Sequence, residues 1–247
     1  MAHEQVRGFV LREVNIGESD RLVEILTADR GLVTALARGA RRSKSPLIAS
    51  TQIFSLADFT LFAYKGRLTV DSAELIEPFM RLHEDLDRLV CAAHLSEVFH
   101  DLVRDDLTGP DIYTLWAYAC HALQTNPDPF LVAHIAQFRA LVVSGFAPRL
   151  SGCLICGAPV EQNGWFDFES RGLLCQHDYR FDRERDTLQV SASALACLKY
   201  CQTSTVDKLF AFRLDQRVRD EICRFSEHFL SVTMEKKYQR LAMLQDL

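Results

Sequence analysis

Cys153-Leu154-Ile155-Cys156-Gly157 and, after eighteen intervening residues (157 to 174), Cys175-Gln176-His177-Asp178 form the stretch of this 247-residue chain best suited to chemistry. Two residues between cysteines let one tight turn aim both thiolates at a single point. Gly157 takes up the backbone strain of such a turn. Three thiolates plus one more donor make a tetrahedral zinc site. The expected ligands are Cys153, Cys156, Cys175 and His177. Asp178 is the alternative fourth, at the position where a regular zinc ribbon carries its last cysteine. Four protein ligands leave no open position for water, so the expected Zn2+ staples a fold and does not catalyse. A redox role for Cys-x-x-Cys needs a strand-to-helix setting, whereas Gly152, Gly157, Pro159 and Gly164 surround this pair. The bland competing reading is that these cysteines are small core residues.

A second feature is electrostatic. The chain has 28 Lys and Arg against 33 Asp and Glu, a net charge of −5. Any nucleic-acid site must therefore be local. Between residues 30 and 67, seven bases (Arg30, Arg38, Arg41, Arg42, Lys44, Lys65, Arg67) face one acid, Asp58. The run Arg38-Gly39-Ala40-Arg41-Arg42-Ser43-Lys44-Ser45 supplies guanidinium forks, hydroxyls and backbone N–H groups, the donors a phosphate chain needs. Arg38, Arg41, Arg42, Lys44, Lys65 and Arg67 are the expected DNA contacts. Phe54, Phe59, Phe62 and Tyr64 lie close in sequence; most are expected in a core, with one or two free to stack on bases. The competing reading of the loop is a solvated connector.

The elements that position these residues divide the chain. Short runs around Phe9–Val14, Leu22–Thr27, Leu32–Ala37, Ile53–Tyr64 and Leu68–Ala73, with a loop from Gly39 to Pro46, predict five antiparallel strands. That number in about 75 residues suits an OB-fold, a partly open barrel used for oligonucleotides. Beyond Pro78, apolar residues recur at three and four. They predict helices over 79–105, Ile112–Leu123 and from Pro129 to about Ser144. Two more are predicted from a cap at Ser191 or Ser193 to Cys201, and from Leu214 to Met234 or as far as Leu244. The fold class expected is α+β: an OB-fold domain over 1–78, and a helical domain over 79–247 with a zinc knuckle inserted at about 150–180.

Other features narrow the function. No eighteen-residue apolar run is evident, so no membrane span is expected. Met1-Ala2-His3-Glu4-Gln5 does not read as a secretory signal. Cys91, Cys120, Cys197, Cys201 and Cys223 fall in apolar helical patterns, as reduced cytosolic thiols do. His83, His94, His100, His121, His134 and His228 show no ligand spacing. Phosphate-loop, nucleophile-elbow, His-Glu-x-x-His and dinucleotide patterns are all missing, which lowers the expectation of an enzyme.

Several pieces occur in a specific order: Val10-Leu11-Arg12; Gly17-Glu18-Ser19-Asp20-Arg21-Leu22-Val23 with Thr27 and Gly31-Leu32; Arg38 to Ser45; Phe138-Arg139-Ala140-Leu141; Gly145-Phe146-Ala147-Pro148; Cys153 to Gly157; and Gly172-Leu173-Leu174-Cys175. In this order the chain resembles the RecO family of bacterial recombination mediators, over all but its last twenty or so residues. The resemblance implies binding of single- and double-stranded DNA, annealing of complementary strands, and a part in recombinational DNA repair. It also implies work with RecR in loading RecA onto strands coated by single-strand-binding protein, in the cytoplasm at the nucleoid. The family's site is often four cysteines, so Asp178 departs from it. Two other classes remain: a zinc-stapled interaction scaffold without nucleic-acid binding, and a nucleic-acid enzyme using acids such as Asp20 and Glu24.

Overall fold

Alternation of apolar and polar residues with a period of two builds the first part of the chain. The structure, a computed structural model, describes residues 2–103, 110–180 and 182–241. Five strands, β1 (Ala2–Ile16), β2 (Asp20–Thr27), β3 (Gly31–Ala37), β4 (Leu56–Tyr64) and β5 (Arg67–Glu77), close into a barrel in the order β1-β2-β3-β5-β4. All pairs are antiparallel except β3 with β5, which meet through Ala35↔Leu68 and Leu36↔Thr69. Val6, Val10, Val23, Ile25, Val33, Ala35, Ala37, Ala57, Phe59, Leu61 and Val70 fill the interior. This is the expected OB-type barrel.

Two local departures matter. A bulge between Val10 and Arg12 in β1 turns Val10 into the barrel, while Leu11 is buried and its carbonyl accepts from Ser96 Oγ. The stretch before β4 is not strand from Ile53, as expected, but turns through residues 46–55. Phe54 sits there at φ +72 and is fully buried. Thr51 Oγ1 and Ser55 Oγ donate to the carbonyls of Leu47 and Gln52, both at 2.6 Å, so local side-chain bonds replace a ladder.

Helices α1 (Arg81–Glu84), α2 (Leu86–Leu102) and α3 (Pro110–Thr125) follow. Asp85 caps α2 by accepting from Arg88 N–H at 3.0 Å. The expected continuation over 104–105 lies outside the described residues. Trp116 of α3, fully buried, meets Phe9, Phe54 and Phe99 at centroid distances of 6.5, 6.4 and 5.1 Å. By packing, the chain divides into Met1–Pro129 and Phe130–Leu247. Residue 78 thus marks the end of the barrel strands, while the first compact unit also includes α1–α3.

The second unit holds most of α4 (Pro129–Leu141), which widens into a π-type turn over Val142–Phe146 where Gly145 reaches φ +93. A small sheet follows, which the sequence reading missed: β6 (Arg149–Cys153), β7 (Gly164–Asp167), β8 (Gly172–Leu174) and β9 (Thr187–Val190), in the order β6-β8-β7-β9. Helices α5 (Ala192–Thr203) and α6 (Gln216–Met234) complete it. Ser191 caps α5 and Asp215 caps α6. Glu235, at φ +51, ends α6 there, so it does not run on toward Leu244. Phe138, Phe166, Phe168, Phe225 and Phe229 are each at most 1% exposed and form the core between α4, β7 and α6.

Contrary to expectation, Pro129–Phe146 is long and apolar enough to cross a membrane by length and composition, and 61% of it is buried. Its polar groups are satisfied inside the unit. Gln137 Nε2 donates to Ser226 Oγ at 2.9 Å, and Arg139 Nη1 donates to the carbonyls of Cys201 and Gln202. It is the central helix of a packed core.

Candidate nucleic-acid interface and metal centre

The basic loop leaves β3 at Ala37. Gly39 turns it at φ +65, and Ala40, fully buried, pins it to the barrel core. Gly39 N–H donates to Asp20 Oδ1 at 2.8 Å, and Ser19 Oγ donates to the same oxygen at 3.0 Å. Arg41 N–H donates to Ser19 O at 2.9 Å, and Arg41 Nη1 to Gly17 O at 3.1 Å. The β1–β2 turn is therefore the template on which the loop is laid. The Gly39 N–H and then the Ser19 hydroxyl hold Asp20 below the usual carboxylate range, with Arg42 and Arg38 adding attraction.

Arg38, Arg41, Arg42 and Lys44 are all exposed. Among the described residues no carboxylate lies within ion-pair distance of them. Other barrel cations are committed: Arg7 makes two 2.7 Å bonds to Asp58, Arg30 pairs with Glu4, and Arg21 lies 3.1 Å from Glu13. Lys65 and Arg67, also exposed, lie at the β4–β5 hairpin, where Lys65 (φ +49) and Gly66 (φ +74) make a tight turn. The β3–β5 register puts Arg67 level with Thr34, four positions before Arg38, or roughly 13 Å along the strands. The fold thus brings the two basic groups onto neighbouring strands, without direct contact.

The aromatics divide evenly, where most were expected in a core. Phe54 and Phe59 are core. Phe62 is half-buried and Tyr64 is 54% exposed, their rings 6.5 Å apart and within 10° of parallel. Lys65 Nζ stands 5.3 Å from the Tyr64 ring centre. Of the acids considered for catalysis, Asp20 is absorbed by the loop, and Glu24 lies 3.0 Å from His100 Nε2.

The cysteine cluster forms where β6 and β8 end. Cys153 closes β6, and Gly157 N–H donates to its carbonyl at 3.0 Å to shape the turn. Gly152 is required because a Cβ there would stand 2.9 Å from Gly157 O. Cys175 follows β8, and the N–H groups of Asp178 and Tyr179 donate back to its carbonyl at 3.2 and 2.9 Å. Each half thus presents two donors three residues apart, Cys153 with Cys156 and Cys175 with Asp178.

These four residues have donor atoms within 4.8 Å of one another. Cys156 Sγ and Cys175 Sγ are 3.9 Å apart, and Asp178 Oδ2 lies 3.1 Å from Cys153 Sγ and 3.2 Å from Cys175 Sγ. Zn–S bonds of about 2.3 Å in a tetrahedron put sulfur atoms roughly 3.8 Å apart, so the donor set fits a structural metal. Hydrogen bonds from Cys156, His177 and the other two thiols hold Asp178 far below the usual carboxylate range. The carboxylate in turn pushes Cys156 up to about 12.

His177, the expected fourth ligand, is outside the cluster. Its side chain is 89% exposed, and its Nδ1 lies 3.0 Å from Asp178 Oδ1. The reason is the turn itself: it folds position i+3 onto Cys175 and points position i+2 outward. The alternative, Asp178, takes the place beside the thiols. Sequence reasoning also missed Trp165 and Tyr179, stacked at 3.9 Å and 3° on the sheet next to the site.

Two family models cover nearly the whole chain. That described as "Recombination protein O N terminal" matches residues 1–79, and "Recombination protein O C terminal" matches 83–242. The chain belongs to the RecO family. Among RecO relatives, a DNA repair protein RecO from Acetivibrio thermocellus is 32% identical over 248 positions, covering 100% of this chain and 98% of its own length. One from Rubrobacter xylanophilus is 37% identical over 81% of this chain and 80% of its own. A third, from Listeria innocua, is 27% identical over 98% and 90%. The two RecO models adjoin where the barrel strands end at Glu77 and α1 begins at Arg81.

Proposed function

We propose that this protein is a non-enzymatic DNA-binding and strand-annealing factor of recombinational repair. Membership of the RecO family supports that setting, and the relatives' name, DNA repair protein, agrees with it. The observation that carries the reading is the loop 38–44: four exposed cations, none paired with a carboxylate among the described residues, fixed to a closed OB-type barrel. Annealing requires no covalent chemistry. It requires that two phosphate chains approach despite their repulsion, and arginine forks neutralise phosphates while releasing counterions. Lys65 and Arg67 extend the contact along β5, and Tyr64 offers an open ring for an unpaired base. Cys153, Cys156, Cys175 and Asp178 would hold Zn2+. That ion would supply a closed structural staple for the small sheet, with no open position for chemistry.

In this reading the partners are single- and double-stranded DNA, RecR and single-strand-binding protein, with RecA served indirectly, in the cytoplasm at the nucleoid. The test is fluorescence anisotropy with a labelled oligonucleotide over a salt series. Arg41→Ala with Arg42→Ala should weaken binding by about tenfold or more and flatten the salt dependence. An unchanged double variant would reject the loop as the contact.

A further inference from the structure

Asp20, the first residue of β2, is an acid set against the root of a basic loop, and electrostatics alone makes it a liability there. Its charge would repel a bound phosphate chain and draw on Arg38 and Arg42. Yet its Oδ1 accepts two hydrogen bonds, from Gly39 N–H at 2.8 Å and from Ser19 Oγ at 3.0 Å. Those bonds lie at the root of the loop. Gly39 stands in the left-handed region at φ +65, and Arg42 N–H donates to its carbonyl at 3.1 Å. The Arg42 side chain folds back over it, since a Cβ on Gly39 would stand 3.4 Å from Arg42 Cδ. Ser19, next to Asp20, accepts from Arg41 N–H at 2.9 Å. Three of the loop's four cations therefore depend, directly or through one residue, on the β1–β2 turn that Asp20 ties to Gly39.

We infer that Asp20 is a positioning residue for the loop: Oδ1 fixes Gly39 and so aims Arg38, Arg41 and Arg42, and losing it weakens nucleic-acid binding although it removes a negative charge. This rests on the reading of the loop as the phosphate contact. The two effects of Asp20 have opposite signs, and their reach decides between them. At physiological salt the Debye length is about 8 Å, so one partly exposed carboxylate repels phosphates weakly. Release of the loop's root disturbs several phosphate contacts together.

The experiment measures anisotropy of a labelled oligothymidylate with four proteins: native, Asp20→Ala, Asp20→Asn and Arg41→Ala/Arg42→Ala. Asn keeps the Oδ1 acceptor and loses the charge. Asp20→Ala should bind about fivefold more weakly, with a salt slope shallower by about 0.7 for each lost contact. Asp20→Asn should bind at least as tightly as the native chain, a rescue that simple loss of stability would not give. Asp20→Ser, whose hydroxyl is too short to reach Gly39 N–H, serves if the Ala variant does not fold, with the same expectation. Native or tighter binding by Asp20→Ala overturns the inference, and so does an Asn variant as weak as the Ala variant. If the double arginine variant also binds normally, the reading of the loop falls. If that variant is weak while Asp20→Ala is not, only the positioning role falls.

Discussion

Asp178 Oδ2 lies 3.1 Å from Cys153 Sγ, across 25 positions of sequence. This contact joins the ends of β6 and β8 and makes a carboxylate the fourth donor of a three-thiol cluster. The choice between neighbours follows from turn geometry more than from affinity. Histidine is the commoner zinc ligand, but position 177 faces outward and 178 faces the thiols.

Substitution at the two positions should therefore separate cleanly. With zinc held as proposed, Asp178→Ala should lose most of it, measured by elemental analysis of purified protein. Melting should fall by about 10 °C or more, since ligation at small structural sites is worth ~10 kcal/mol. His177→Ala should keep zinc at one ion per chain, because its part is to orient the carboxylate from outside. The reverse pattern would return the ligand role to His177.

The centre of the second unit carries a polar chain within an aromatic core. Ser226 Oγ donates to His134 O at 2.6 Å and accepts from Gln137 Nε2 at 2.9 Å, all three residues buried. Ser226→Ala leaves Gln137 with one bond fewer in a buried setting. A cost of about 1–3 kcal/mol is expected, read as a lowered midpoint in urea with an unchanged m-value. A shift below a few tenths would mean that Gln137 finds another acceptor.

Arg7 and Asp58 give a pH signature on the barrel. The Arg7 hydrogen bond, and after it the charge, lowers Asp58 from its ordinary value of 3.8. A depressed carboxylate contributes stability above its unfolded pKa and loses it as pH falls through the folded one. Both side chains are substantially exposed, so solvent screening keeps the contribution small. Arg7→Ala should melt slightly below the native protein at neutral pH, and the gap should close only as pH falls below 3.8 and through the lower folded-state value. A gap that stays constant to pH 2.5 would assign the effect to packing of the arginine stem.

The barrel was legible because short runs rich in branched apolar residues, Leu22–Leu26 around Glu24 and Leu32–Ala37 around Thr34, are bounded by turn residues, and Val23, Ile25, Val33, Ala35 and Ala37 within them face inward. The start of β1 was not, since Glu4, Gln5 and Arg7 resemble a polar tail until β4 is known to pair with them. Ile53 and Phe54 look like strand by composition, but hydroxyls of Thr51 and Ser55 hold the chain in turns. The second sheet escaped because its strands are three to five residues long, too short for periodicity to register. In the metal cluster the ligand spacing was visible in both halves, three residues each time, and residue type misled. Asp20 gave no signal for its place in the loop, because its partner Gly39 is nineteen positions away.

The β3–β5 joint deserves a mechanical reading. Only two residue pairs, Ala35↔Leu68 and Leu36↔Thr69, seal the barrel there. One cationic segment sits at each end of that joint. A polyanion spanning both would act as a clasp over the thinnest weld of the cylinder, so cargo and container would tighten together.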